Sequence, residues 1–325
     1  MSIEGIEEAY FRIQKIANKT PVLTSRTLNK LINTSVFLKC ENFQRMGAFK
    51  FRGAYNALSL LTPEERKSGV ITHSSGNHAQ AVALAASLLG IKATIVMPKG
   101  APQIKINATK EYGAKIILCE NTLESRIEKT NKLIAEYKYI LIHPFDNDNV
   151  INGAGTAAFE LIKEIGELDI LITPLGGGGL LSGSAIATKN LCENAQVFGV
   201  EPQLADDAYR SVQAGYIIPS TYPNTIADGL RTSLSERTFK IIMKYVDGIL
   251  TVSELEILKA MRFLWERMKI IVEPSGAVPL AALFSEDLDV KNKKIGLIIS
   301  GGNIDLTQFF QQIKKRVKDT QDYIK

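Results

Sequence analysis

The sequence is short of the features that mark several large classes of protein. It has three cysteines, Cys40, Cys119 and Cys192, far apart and without a CxxC pair. That argues against a disulfide framework and a zinc ribbon, and for a reducing compartment. Aromatic residues make up only 7%, and no basic run is interleaved with them. The net charge of +5 is spread over scattered lysines and arginines, so a nucleic-acid role is not indicated. The densest basic stretch, Lys314, Lys315, Arg316 and Lys318, reads as the solvated face of a terminal helix. The longest low-charge stretch, 79–91, falls short of the ~20 residues of a membrane span. The start, with Ser2, Ile3 and Glu4, offers neither the basic residues nor the apolar run of a signal peptide. The expectation is a cytoplasmic protein without nucleic-acid or membrane partners.

What remains is ordinary globular material: 325 residues, 45% hydrophobic and 22% charged. Short runs rich in β-branched residues alternate with helix-length segments. Strands are predicted over 36–39, 70–73, 93–97, 115–119, 139–142, 170–173, 197–200, 248–252 and 294–300. Helices are predicted over 78–89 and 123–137, among others. Such alternation means parallel sheets covered by helices. The strands are too many for one sheet of usual size. The fold class is therefore α/β, with two open, mostly parallel sheet domains and helices on both faces.

In open α/β sheets, ligands bind at the carboxyl ends of strands. Four turns there carry chemistry. Gly176-Gly177-Gly178-Gly179 follows a strand and opens a helix at Leu180. Glycine runs are costly to order, but they let backbone N–H groups surround an anion at a helix start. A phosphate suits that loop, while the spacing matches neither GxGxxG nor a P-loop. Ser74-Ser75-Gly76-Asn77-His78 places hydroxyls, an amide and N–H groups at a helix start, which suits a carboxylate or plain capping. Ser300-Gly301-Gly302-Asn303 ends an apolar strand with a hydroxyl. Glu201, with Asp206 and Asp207 nearby, can bind a hard cation or simply begin a helix. The histidines His73, His78 and His143 have no metal-ligand spacing.

The segment Glu41-Asn42-Phe43-Gln44-Arg45-Met46-Gly47-Ala48-Phe49-Lys50-Phe51-Arg52-Gly53-Ala54 resembles the cofactor-lysine signature of fold type II pyridoxal-phosphate (PLP) enzymes, in the serine/threonine dehydratase and serine racemase branch. The serine, glycine and Ser300 turns follow in that family's order. The resemblance implies that Lys50 forms the Schiff base with PLP, with Phe49 beside it. It gives the ring hydroxyl to Asn77, the phosphate to Gly176, Gly177, Gly178, Gly179 and Leu180, and the pyridine nitrogen to Ser300. Ser74, Ser75, Asn77 and His78 would hold the substrate carboxylate. It implies a small mobile domain over 69–147 that closes on a large PLP-binding domain formed by 1–68 and 148–325.

The activity implied is that of a PLP-dependent lyase, an L-threonine/L-serine ammonia-lyase (dehydratase) giving 2-oxobutyrate or pyruvate plus ammonia. Lys50 would be the Cα base. Ser75 matches the serine that serves racemases of this branch as acid/base on the opposite face, so serine racemase remains an alternative. So does 3-hydroxyaspartate dehydratase, because Glu201, Ala205 and Asp207 resemble that branch's site for Mg²⁺, Mn²⁺ or Ca²⁺. Phe145, where some racemases carry a polar residue, leans the other way. A non-catalytic binding protein on the same fold is a remote reading. The family's habit implies a homodimer or homotetramer.

Overall fold

A computed structural model of the chain describes residues 1–101, 103–285, 288–311, 313 and 314. Most of the C-terminal basic stretch, Lys315, Arg316 and Lys318, lies outside the described residues. The strands are β1 (Val22–Leu23), β2 (Ser35–Cys40), β3 (Val70–His73), β4 (Ala93–Pro98), β5 (Lys115–Cys119), β6 (Ile140–Leu141), β7 (Ile170–Pro174), β8 (Gln196–Pro202), β9 (Gly248–Val252) and β10 (Lys294–Ile299). They form a six-stranded sheet in the order β1-β2-β10-β7-β8-β9 and a four-stranded sheet in the order β5-β4-β3-β6. Only β1 runs antiparallel to its neighbour. The α/β expectation with two mostly parallel sheets holds. All four strands of the smaller sheet fall between 70 and 141.

The physical reason is visible in the strands. Every residue of β7 is buried, as are all but one in β10 and in β4. Strands covered on both faces must be apolar throughout, which is why they read as runs and not as alternations. One face of the large sheet is covered by helices Glu254–Glu266 and Pro274–Ala282. The other is covered by helices Ile3–Ile13, Asp148–Ile165 and Gly179–Leu191. The last two cross at glycines: a Cβ on Gly183 would lie 2.4 Å from the Ile151 carbonyl, so a larger residue would push them apart. A third core joins Phe51 and Leu58 of helix Lys50–Ser59 to Val82 and Ala85 of helix Asn77–Leu88 beneath the small sheet. The helix that begins at Lys50 therefore lies at the junction of the two sheets. The sequence pattern overlooked β1, which has two residues, and it overran β6 by one residue at each end.

Candidate active site

Lys50 opens its helix where two loops are zipped together. Phe49 N–H donates to Ser300 O at 2.9 Å, Gly302 N–H donates to Gly47 O at 2.9 Å, and Ala48 bridges Gly301. This fixes the lysine beside the end of β10, where Ser300 is buried. A side chain at Gly47 is excluded twice over: its φ is +77°, and a Cβ would lie 2.5 Å from Asn303 Oδ1. The Lys50 amine faces no carboxylate. It donates to Pro144 O at 2.8 Å and lies 5.1 Å from the centre of the Phe49 ring. Burial pulls its pKa down to about 8. A usable fraction of the amine is thus unprotonated near neutral pH, as a nucleophile or base requires.

From Pro144 the contacts run directly to the glycine loop. A Cβ on Gly177 would lie 2.3 Å from the Phe145 ring, and one on Gly179 would lie 2.9 Å from Phe145 Cβ. On the other side, Gly178 has φ +86° and would press a Cβ against Thr238 at 2.8 Å. The loop is a cradle with no room for side chains. Helix Gly179–Leu191 starts there with Gly178 as its N-cap and no side-chain cap, so its first N–H groups have no partner within the helix. Phosphate is the fitting occupant.

The serine loop follows β3. Ser74 N–H donates to Val96 O at 3.2 Å, and Ser74 Oγ accepts from Gly76 N–H at 3.2 Å. Ser74, Ser75 and Asn77 are half-buried. Asn77 reaches the large sheet: its Nδ2 donates to Glu273 Oε1 at 2.7 Å, and its Oδ1 accepts from Asn303 Nδ2 at 2.8 Å. Asn303 Nδ2 also donates to Met46 O at 2.7 Å, just before the lysine segment. Asn77 is thereby held against the Lys50 loop.

The histidines are neutral components of the wall. His78 is buried, with Nε2 at 3.0 Å from Ile142 O, and its Nδ1 has no partner. Burial, then the nearby Lys50, pushes its pKa well below the ordinary value. Its side chain therefore offers no positive charge to a substrate carboxylate, which leaves its backbone N–H at the helix start for that task. His143 Nδ1 accepts from Asp146 N–H at 2.8 Å, which shapes the turn that presents Pro144 O. Burial, then His73, lowers His143 to about 4. His73 stacks edge-on with it at 6.1 Å.

Glu201, Ala205 and Asp207 come together one strand over, at the end of β8. All three are buried. Glu201 accepts from the N–H groups of Ala208 at 3.3 Å and Tyr209 at 2.7 Å. Both oxygens of Asp207 are buried without a hydrogen-bond partner. Burial first, and Asp207 next, raises Glu201 well above the carboxylate range. Burial lifts Asp207 to about 6. Among the described residues no group of three or more His, Cys, Asp or Glu side chains converges, so a cation here would need carbonyl oxygen and water besides the two carboxylates.

Sequence reading missed Glu273. Burial, then Asp228, raises it to about 8, so it is largely uncharged at neutral pH where it meets Asn77. Its one signal was an acidic residue before Pro274-Ser275-Gly276 at a helix start. The role of the Pro144 carbonyl left no mark, because a backbone acceptor has no residue type.

Two parallel sheets with a buried lysine, a glycine cradle and a serine loop gathered at strand ends define a cofactor-dependent α/β enzyme. A family model described as "Pyridoxal-phosphate dependent enzyme" matches residues 13–301, and the chain belongs to that family. It is 50% identical to a serine racemase of Dictyostelium discoideum, over 94% of this chain and 96% of that protein. It is also 50% identical to an L-threo-3-hydroxyaspartate ammonia-lyase of Saccharomyces cerevisiae, over 93% of each. The crystal structure of a threonine deaminase from the bacterium abbreviated T.th. superposes with a TM-score of 0.89 at 44% identity, covering 94% of this chain and 99% of that one. No helix among the described residues is long and apolar enough to cross a membrane.

Proposed function

We propose that the protein is an ammonia-lyase for small 3-hydroxy amino acids, converting threonine to 2-oxobutyrate or serine to pyruvate with release of ammonia. The observation that carries this reading is the Lys50 amine, buried, lowered to about 8 and held by a single carbonyl beside a glycine cradle. The residues fit PLP. Lys50 would hold its aldehyde, Gly176 to Gly179 and Leu180 its phosphate, Asn77 its ring hydroxyl and Ser300 its pyridine nitrogen. When bound, the cofactor supplies the electron sink for charge developing at Cα. The protein supplies the rest. Ser74, Ser75, Asn77 and the N–H groups at the start of helix Asn77–Leu88 bind the carboxylate. Lys50 Nζ takes the Cα proton. Neutral His78 and His143 keep other cations away from that amine, which favours its unprotonated form. Residues 69–147 would close as a unit over the substrate and exclude water.

A second reading, serine racemase or 3-hydroxyaspartate dehydratase, rests on two features. Ser75 offers a hydroxyl for proton transfer on the face opposite Lys50. The partnerless buried oxygens of Asp207 beside Glu201 are what a divalent cation such as Mg²⁺ would satisfy, with the Ala205 carbonyl completing the set. Phe145, sealed on the glycine loop, favours the lyase by making that wall apolar. We place the enzyme in the cytoplasm as a homodimer or homotetramer, a reading supported by its three buried free cysteines and by the habit of the family.

The test is a 2-oxo acid assay on threonine, serine and 3-hydroxyaspartate, with and without a chelator, together with chiral analysis of the recovered serine. Fast 2-oxo acid formation from threonine or serine is expected. Rapid D-serine formation with little pyruvate would replace the lyase by the racemase. A kcat/KM far higher for 3-hydroxyaspartate would move the substrate assignment.

A further inference from the structure

Four charged side chains lie buried behind the lysine and take no part in the chemistry above: Lys39, Glu41, Arg52 and Glu160. Arg52 grips two carboxylates at once. Its Nε and Nη2 donate to Glu41 at 2.7 and 2.9 Å, and its Nη1 and Nη2 donate to Glu160, both at 2.8 Å. Lys39 Nζ pairs with Glu160 at 2.8 Å and donates to Thr20 O at 2.8 Å. Burial works against the Arg52 charge, but Glu41 and Glu160 hold it above its ordinary value. Two cations and two anions cancel.

Stability is a poor explanation for such a cluster, because buried ion pairs often break even against apolar side chains of the same volume. Geometry is a better one. Arg52 is the third residue of the helix that begins with Lys50. That helix has Phe49 at its N-cap, in a helical conformation and with no side-chain cap. Its functional end therefore lacks the usual device that fixes a helix start. The helix also lies directly on helix Asp148–Ile165: a Cβ on Gly53 would meet Val150 O at 2.6 Å, and one on Gly153 would meet Arg52 O at 2.6 Å. Glycine contacts allow close approach but do not lock rotation. A slip of one residue turns a helix by about 100° and would tear the guanidinium off both carboxylates.

We propose that Arg52 is a positioning residue: locked on Glu41 and Glu160, it sets the rotation of helix Lys50–Ser59 and so places the Lys50 amine against the Pro144 carbonyl. The proposal rests on the reading of Lys50 as the cofactor lysine. A graded series tests it. Thr156→Val removes one Arg52 contact, now 3.2 Å from Nη1. Arg52→Lys keeps the charge and loses the fork. Arg52→Met/Glu41→Gln removes one cation and one anion together, leaving Lys39 paired with Glu160.

Three quantities are read on each variant: Tm, the pKa of the Lys50 amine in cofactor-free protein by competitive acylation and mass spectrometry, and kcat against KM. For Arg52→Lys and the double variant, the Lys50 pKa is expected to rise from about 8 toward the ordinary value of 10.5. Their kcat is expected to fall roughly 10- to 100-fold, as misplacement by about an ångström does, with KM changing less than about threefold. Thr156→Val should shift both in the same direction by a smaller step. A merely structural Arg52 would lower Tm and leave the Lys50 pKa and kcat of the folded variants where they were, which overturns the proposal. If the stronger variants do not fold, an unmoved Lys50 pKa in Thr156→Val overturns it alone. Borohydride trapping on the wild type separates the two ideas. Label on another lysine ends the Lys50 reading, whereas label on Lys50 with an unmoved amine pKa ends only the role of Arg52.

Discussion

Two clusters of buried charge sit at opposite sides of the glycine loop's sheet, and they are built on opposite terms. Around Arg52 every charge has a counter-charge, and Thr20 and Thr156 supply further hydrogen bonds. Around Glu201 and Asp207 two carboxylates face each other, with Asp207 partnerless among the described residues. A satisfied cluster is finished by folding itself. An unsatisfied one stores a desolvation cost that a ligand can relieve. Lys50 belongs with the second kind, since its amine is buried with one carbonyl for company. The contrast separates groups that hold the fold from groups that await something else.

Removing an awaiting group should cost function and spare stability. The largest effect is expected for Lys50→Ala, with 2-oxo acid formation down by roughly a thousandfold or more and thermal unfolding unchanged or slightly later. A Tm loss comparable to a core mutation would break the contrast. Gly177→Ala comes next. Its Cβ would fall 2.3 Å from the Phe145 ring, so cofactor affinity should drop at least about tenfold. Phe145→Ala in the same chain should restore part of it, and a cofactor titration of the double variant reads the coupling.

The carboxylate pair gives a smaller effect with a definite sign. Asp207 is raised from 3.8 to about 6, so between those values the folded protein holds a proton that the unfolded chain has released. Stability therefore falls as pH rises through that window, and further above it as Glu201 ionises. Added Mg²⁺ should raise Tm by a few degrees at pH 8 and barely at pH 5. In Glu201→Gln that response should vanish, and the metal-free protein should be the more stable one. Equal metal responses at both pH values would count against a site there. The smallest effect is expected in the satisfied cluster. Thr20→Val deletes the 2.6 Å hydrogen bond to Glu41, which should cost about 1–2 kcal/mol in denaturant unfolding and leave the metal response untouched.

Much of this was legible in the sequence because it is written in residue types that have few other uses. Four glycines at a strand end, a serine loop before a helix and apolar runs of strand length each follow from local sterics, and the structure puts them at the ends of β7, β3 and the central strands. The Lys50 segment carried the resemblance. What stayed hidden depends on three-dimensional burial. Glu273 becomes an uncharged partner of Asn77 only because the fold desolvates it. Arg52 and Glu160 are far apart in sequence and meet only when two helices cross. Phe145 read as a departure from a racemase pattern, and only its contact with Gly177 shows it sealing the cradle.

Everything proposed for the site depends on where the cofactor is attached. Purified enzyme loaded with PLP can be reduced with borohydride, digested and mapped by mass spectrometry. The expected result is a single pyridoxyl-modified peptide carrying the label on Lys50, absent in Lys50→Ala. Label on a different lysine, or none despite visible cofactor absorbance, would contradict it.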